Sequence, residues 1–152
     1  MFGKEPTVSV SEVKLSRDYD FMYENFVVLT QSDAYLFLER NGDSTQALHF
    51  DSARCRYGGP NDEARGGHPL AEYGLGLYGL FLVENSPWIR EMMVANRVHP
   101  QHSDSLFSRD RHYVACFKDV MFESICREVR EVTLSKSEIE ALITRELFSL
   151  ES

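Results

Sequence analysis

The alternation of side chains between residues 112 and 129 constrains this chain more than any other feature. His112 to Phe117 and Val120 to Val129 read as two strands turning at Lys118-Asp119. A two-residue or a four-residue loop gives the same register, in which His112 faces Ile125 and Cys116 faces Met121. Tyr113, Ala115, Phe117, Val120 and Phe122 then share a core-facing side. His112, Val114, Cys116, Met121, Glu123 and Ile125 share the other. His112 and Glu123 become diagonal neighbours within side-chain reach, a candidate dyad in which the carboxylate fixes the imidazole tautomer. The plainer reading is an exposed cross-strand pair that stabilises the hairpin.

Other segments extend the sheet. Thr7-Val8-Ser9-Val10 alternates like a short edge strand within an otherwise loosely specified stretch, 1–16. Tyr19 to Phe26 fits a helical turn and a strand equally well. Phe26 to Thr30 and Ala34 to Glu39 read as paired strands, and Asn41-Gly42-Asp43 turns the second into a longer strand, Gln46 to Tyr57. Leu77 to Glu84 reads as a buried strand. Ser86 caps a central helix with Pro87 at its first position, and His99-Pro100 stops it. A C-terminal helix over 136–150 opens on a capping box, Ser135 with Glu138, and Ile139, Leu142, Ile143, Leu147 and Leu150 form its docking stripe. The expectation is a single α+β domain, 1–152. Its sheet is mainly antiparallel (a meander, a roll or a partly open barrel), with a short central helix and a C-terminal amphipathic helix.

A chain of 152 residues buries enough surface to fold without disulfides or metals. Cys55, Cys116 and Cys126 are odd in number and have no CxxC spacing, so they read as free thiols. No apolar run is long enough to cross a membrane, and the N-terminus lacks the pattern of a signal peptide, which points to the cytoplasm. The net charge of −8 disfavours nucleic acid as a partner. The acidic excess lies toward the two ends. The middle, 54–112, carries as many basic as acidic groups and gathers arginines that suit an anion.

Two polar stretches there are candidates for function. Residues 58–70 hold four glycines and two prolines, which exclude regular helix or strand, and contain Asn61, Asp62, Glu63, Arg65 and His68. Arginine can grip a carboxylate or phosphate, and histidine moves protons near neutral pH. The structural alternative is that Asn61 or Asp62 caps a turn and Arg65 pairs with Glu63 or Glu72. Residues 98–110 carry His99, His102 and Asp104 behind Arg97. These offer imidazole and carboxylate ligands for a metal, but on a loop that fixes no geometry, so a metal is not favoured. Gly74, Gly76 and Gly79 match GxGxxG, yet a strand-like run follows where a nucleotide site needs a helix. Close approach of strands explains the glycines better. Ser86 beside Trp88 invites a nucleophile reading that the helix cap already accounts for.

The runs Gly59 to Ala64, Gly67 to Leu70, Asn85 to Ile89, Asn96 to Pro100 with His102, and His112-Tyr113 with Phe117 to Asp119 and Phe122-Glu123 resemble a bacterial family of small uncharacterised proteins. That resemblance covers about residues 46–126. It implies a bacterial origin and attaches no activity. The leading expectation is a binding or regulatory module. Its site, made where the 58–70 and 98–112 loops converge, would take a small anionic ligand or an acidic segment of a protein partner through Asn61, Asp62, Glu63, Arg65, His68, Arg97, His99 and His102. The alternative is a hydrolase or transferase drawing acid–base groups from His68, His99, His102, Asp62, His112 and Glu123, with or without a metal. A third is an acidic inhibitor or immunity-type protein. Oligomeric state is not readable from the residues.

Overall fold

A computed structural model describes residues 7–51 and 54–150. It is an α+β structure of two antiparallel sheets packed face to face and not closed into a barrel. The first sheet orders its strands β1 (Ser9–Glu12), β6 (Gly79–Glu84), β7 (Arg111–Cys116), β8 (Met121–Cys126) and β5 (Arg54–Gly58). The second orders β2 (Phe26–Leu29), β3 (Asp33–Asn41), β4 (Ser44–Asp51) and β9 (Val129–Ser135). Helix α1 (Pro87–Asn96) follows β6, and helix α2 (Lys136–Ser149) follows β9.

The β7–β8 register is the one the alternation requires, with His112 opposite Ile125 and Cys116 opposite Met121. Tyr113, Ala115, Phe117 and Phe122 face the second sheet and meet Leu36, Leu48 and Phe50 in the main core, where Phe50 packs on Phe122 at 5.0 Å between ring centres. The opposite face of the first sheet is also covered. Phe81, Val83, Val114, Cys116 and Met121 pack there with Leu70 and Leu75 from the glycine-rich segment, while α1 begins above His112. Both faces of β7 and β8 are therefore buried beyond Arg111, and the polar residues His112, Glu123 and Ser124 are buried with them.

Two strands expected to be long are each divided. Gln46 to Tyr57 splits into β4 and β5, and Val120 to Val129 into β8 and the start of β9, because in both places the chain passes from one sheet to the other. Asp51 ties the two crossings together. Its Oδ1 accepts from the backbone N–H of Arg127 at 3.1 Å and of Glu128 at 2.7 Å, and its own N–H donates to the Glu128 carbonyl. Side-chain periodicity does not register such a change of partner, because both halves remain extended. Residues 19–23 belong to neither helix nor strand.

The capping box forms, with Glu138 N–H on Ser135 Oγ and Ser135 N–H on Glu138 Oε1. The expected docking stripe of α2 forms only in part. Leu142 is buried, whereas Ile143, Leu147 and Leu150 are exposed. The helix touches its sheet along a narrow line and leaves one apolar flank in solvent.

Candidate functional site

The residues that carry chemistry converge on the α1 side of β7 and β8. Alternation directs His112 and Glu123 to this face, and their diagonal placement lets His112 Nε2 reach Glu123 Oε1 at 2.9 Å. The other imidazole nitrogen, Nδ1, lies 2.7 Å from Ser86 Oγ. Glu123 Oε2 lies 3.2 Å from His68 Nε2, and His68 Nδ1 accepts the backbone N–H of Leu70. Four chain-distant residues thus form one hydrogen-bonded row: Ser86, His112, Glu123, His68. The pair read as exposed is buried, with side-chain exposures of 3% for His112 and 11% for Glu123.

The order of donors fixes the hydrogens. Leu70 N–H must donate to His68 Nδ1, so His68 carries its hydrogen on Nε2 and gives it to Glu123. An ionised Glu123 can only accept, which makes His112 Nε2 a donor and leaves its Nδ1 to accept the Ser86 hydrogen, while Ile89 N–H donates to Ser86 Oγ. His112 then donates through Nε2 to the other carboxylate oxygen. Every polar atom of the row is satisfied when Glu123 is ionised. Burial pushes the Glu123 carboxyl up, but hydrogen bonds from His112 and then His68 more than reverse this and hold it near about 2.

Backbone geometry presents the serine. Strand β6 ends at Glu84, Asn85 takes a positive φ of 56°, and Ser86 opens α1 with Pro87 behind it. A left-handed residue at this junction turns the chain sharply enough to bring the first helical turn over the sheet. Asn85 is anchored by its Nδ2, which donates to the Thr7 carbonyl at 3.0 Å. The helix start places backbone N–H groups and the positive end of the helix dipole at Ser86 Oγ. Trp88 packs edge-on to the His112 ring at 5.4 Å, and the Arg56 guanidinium covers Trp88 from outside. Ser86 lines a cleft of about 420 Å³ whose apolar wall includes Val8, Val83, Ile89, Met93 and Phe107, with Arg90 and Arg111 among its charged residues.

The other expected site residues are placed differently. Arg65 is 2% exposed, and its guanidinium donates to the carbonyls of Leu77, Phe117, Pro60 and Val120 rather than pairing with Glu63 or Glu72. It pins the glycine-rich segment to the β7–β8 turn. That segment forms two short 3-10 turns, 62–67 and 71–73. Asn61 caps the first by accepting from Ala64 N–H, Asp62 accepts from the Tyr78 hydroxyl at 2.6 Å, and Glu63 is exposed. Gly74, at φ 111°, leaves no room for a Cβ, which would stand 2.8 Å from the Val10 carbonyl oxygen. A Cβ on Gly76 would strike the Phe81 ring. Close packing accounts for these glycines, and β6 rather than a helix follows them.

Arg97, His102 and Asp104 form a cluster in which Arg97 and Asp104 are exposed, whereas the His102 side chain is only 11% exposed. Asp104 accepts from Arg97 at 3.1 Å and lies 2.5 Å from His102 Nε2. Asn96 Nδ2 meets His102 Nδ1, and His99 Nδ1 takes the N–H of Gln101. Hydrogen bonds from Arg97 and then His102 lower the Asp104 carboxyl. Among the described residues, no three His, Cys, Asp or Glu side chains are disposed to hold a metal ion. The 98–110 loop leads into β7 at Arg111, whereas Asp62 and Arg65 bond the residues just after its far end. The two polar loops therefore sit at opposite ends of β7, and only His68 carries the first toward the second. Burial pushes the Cys116 and Cys126 thiols up to about 12 and Cys55 to about 11, which leaves them poor nucleophiles.

Sequence reasoning had the His112–Glu123 pairing from register but kept Ser86 apart as a helix cap. It is both, because one oxygen accepts from Ile89 and donates toward His112. The His68–Glu123 bond spans 55 positions of sequence and leaves no local signal. Comparisons with protein-family models, with curated proteins and with solved structures found no match.

Proposed function

We propose that this chain is a hydrolase acting on an ester or similarly activated acyl group, with Ser86 as nucleophile, His112 as its base and Glu123 as the group that orients the base. The supporting observation is the continuous row from Ser86 Oγ through His112 to Glu123, with links of 2.7 and 2.9 Å. A nucleophile bonded to a base that is itself held by a third group is the arrangement acyl transfer requires. Either imidazole nitrogen can accept a proton. Here Nδ1 faces the serine and Nε2 the carboxylate.

Ser86 Oγ attacks the carbonyl carbon as its hydrogen passes to His112 Nδ1. Ionised Glu123 stabilises the imidazolium through Nε2–H. The backbone N–H of Trp88, in the first turn of α1 where the helix itself supplies no acceptor, is the donor for the developing oxyanion. Collapse expels the alcohol, which takes the proton back from Nδ1. Water then attacks the acyl-serine, again giving a proton to Nδ1, and Ser86 leaves as its hydroxyl by recovering it. His68 does not touch the reacting atoms. It positions Glu123, and its own Nδ1 is held by Leu70.

The test is turnover of p-nitrophenyl acetate and butyrate. The wild type is expected to hydrolyse at least one, and Ser86→Ala to lower kcat by about 10³-fold or more while its circular dichroism stays native. Equal rates in the two proteins would remove the reading.

A binding module remains the second reading, and one observation favours it. A separate cleft of about 540 Å³ lies between α1 and the 98–107 segment, lined by Arg54, Trp88, Met92, His99 and Phe107, which suits a flat anion. Loss of binding in Arg54→Ala, found by screening small carboxylates and phosphates calorimetrically, would support it. No bound carboxylate or phosphate in that screen would set it aside.

A further inference from the structure

The two sheets have four edges, β1 and β5 in the first and β2 and β9 in the second. Exposed edges carry unpaired backbone groups, and charged residues are a common means of blocking association there. Three of the edges have them: Glu12 in β1, Arg54 and Arg56 in β5, Arg130 and Glu131 in β9. Strand β2 reads Phe-Val-Val-Leu and has none. It is apolar on both faces, with Phe26 and Leu29 more than half exposed on opposite sides. The exposed flank of α2 adjoins it, for Leu29 lines one cleft with Ile143, Leu147 and Leu150.

We propose that β2 is the interface of a two-fold homodimer, in which β2 of one copy pairs antiparallel with β2 of a second and joins two four-stranded sheets into one. Thr30 N–H donates to the Asp33 carbonyl, so Thr30 and Asp33 form a hydrogen-bonded pair at the turn of the β2–β3 hairpin. Such pairs alternate along an antiparallel ladder, which makes Val28 opposite Tyr35 and Phe26 opposite Phe37 hydrogen-bonded pairs as well. Val27 and Leu29 therefore direct their N–H and C=O groups away from β3, toward the open edge. Only a register that matches outward groups with outward groups forms bonds. Centring the two-fold axis on Val28 sets Val27 against the second copy's Leu29 at both ends, and uses all four outward groups.

Charge leaves a second copy free to occupy this edge. Only Phe26 to Thr30 pair across the axis, because the chain turns away at Gln31-Ser32, and none of these residues is charged. A chain with net charge −8 would repel itself where its acids gather, and the β2 edge is free of them. An antiparallel strand on a two-fold axis is its own complement, which gives the closed symmetry of the commonest homo-oligomers.

The test is sedimentation velocity over a concentration series on the full chain and two variants. Val27→Pro removes an outward N–H without taking a bond from the β2–β3 ladder, and Leu29→Lys places a charge on the edge. The wild type is expected to sediment as a dimer and both variants as folded monomers at the same concentration. Val28→Cys supplies an independent check of register. It sits on the axis at a pair not bonded across the interface, with Cα atoms about 4.5 Å apart, and mild oxidation should yield a covalent dimer. Wild type, with Cys116 and Cys126 buried and Cys55 partly so, runs alongside as the control for any bridge through the native thiols. A wild type that is monomeric throughout, or a dimer unaffected by both edge variants, overturns the proposal.

Discussion

His112 and His102 each meet a carboxylate through Nε2, at 2.9 Å to Glu123 and 2.5 Å to Asp104. Arg65 and Arg97 likewise both act as donors, the first to four carbonyls and the second to Asp104. The partners differ in their surroundings. Glu123 is 11% exposed in its side chain and Asp104 53%. In the buried row from Ser86 through His112 and Glu123 to His68, each donor has one available acceptor, and the positions of the hydrogens follow. Around the exposed Asp104 carboxylate and Arg97 guanidinium water competes for the bonds, and several arrangements cost nearly the same. A group of histidines and carboxylates becomes a device when the fold removes its alternatives, and the density of such residues along the chain is a poor guide to where that happens.

The largest expected contrast is between the arginines. Arg65→Ala strips donors from four carbonyls and opens a cavity under the glycine-rich segment, and should cost about 4 kcal/mol in urea unfolding. Arg97→Ala should leave the midpoint where it is. Acid gives the next contrast. The Glu123 carboxyl sits near about 2 in the folded chain against its ordinary 4.5, so its contribution is complete above 4.5 and lost as pH falls toward about 2. Denaturant midpoints measured through this window should show roughly 3 kcal/mol of loss that Glu123→Gln lacks. That substitution is itself informative at neutral pH. A glutamine offers one acceptor and one donor to two imidazole Nε2–H groups, so one histidine must change tautomer against Ser86 or Leu70. A cost of about 2 kcal/mol follows, with ester turnover down by at least about 100-fold. Asp104→Asn, on the exposed side, should change neither stability nor turnover measurably.

Legibility in the sequence divides along similar lines. The β7–β8 register, the Ser86 and Ser135 caps and the β2–β3–β4 meander follow from contacts near in sequence, where periodicity and turn chemistry act directly. The division of Gln46 to Tyr57 and of Val120 to Val129 between two sheets was hidden, since a strand that changes partners keeps its alternation. For the site, His112 with Glu123 was accessible from register. Arg65 had the composition of a ligand-binding residue, and only the carbonyls around it, from residues 60, 77, 117 and 120, reveal its structural work. The α2 stripe was read correctly as apolar but not as exposed, because amphipathicity gives a direction and not the breadth of the surface waiting to receive it.

One measurement bears most directly on the claim that Ser86 is activated through His112. Incubation with a fluorophosphonate, followed by peptide mass spectrometry, should give a single adduct on Ser86 of the wild type, formed far more slowly in His112→Asn. An unmodified Ser86, or modification at the same rate in both proteins, would contradict the account.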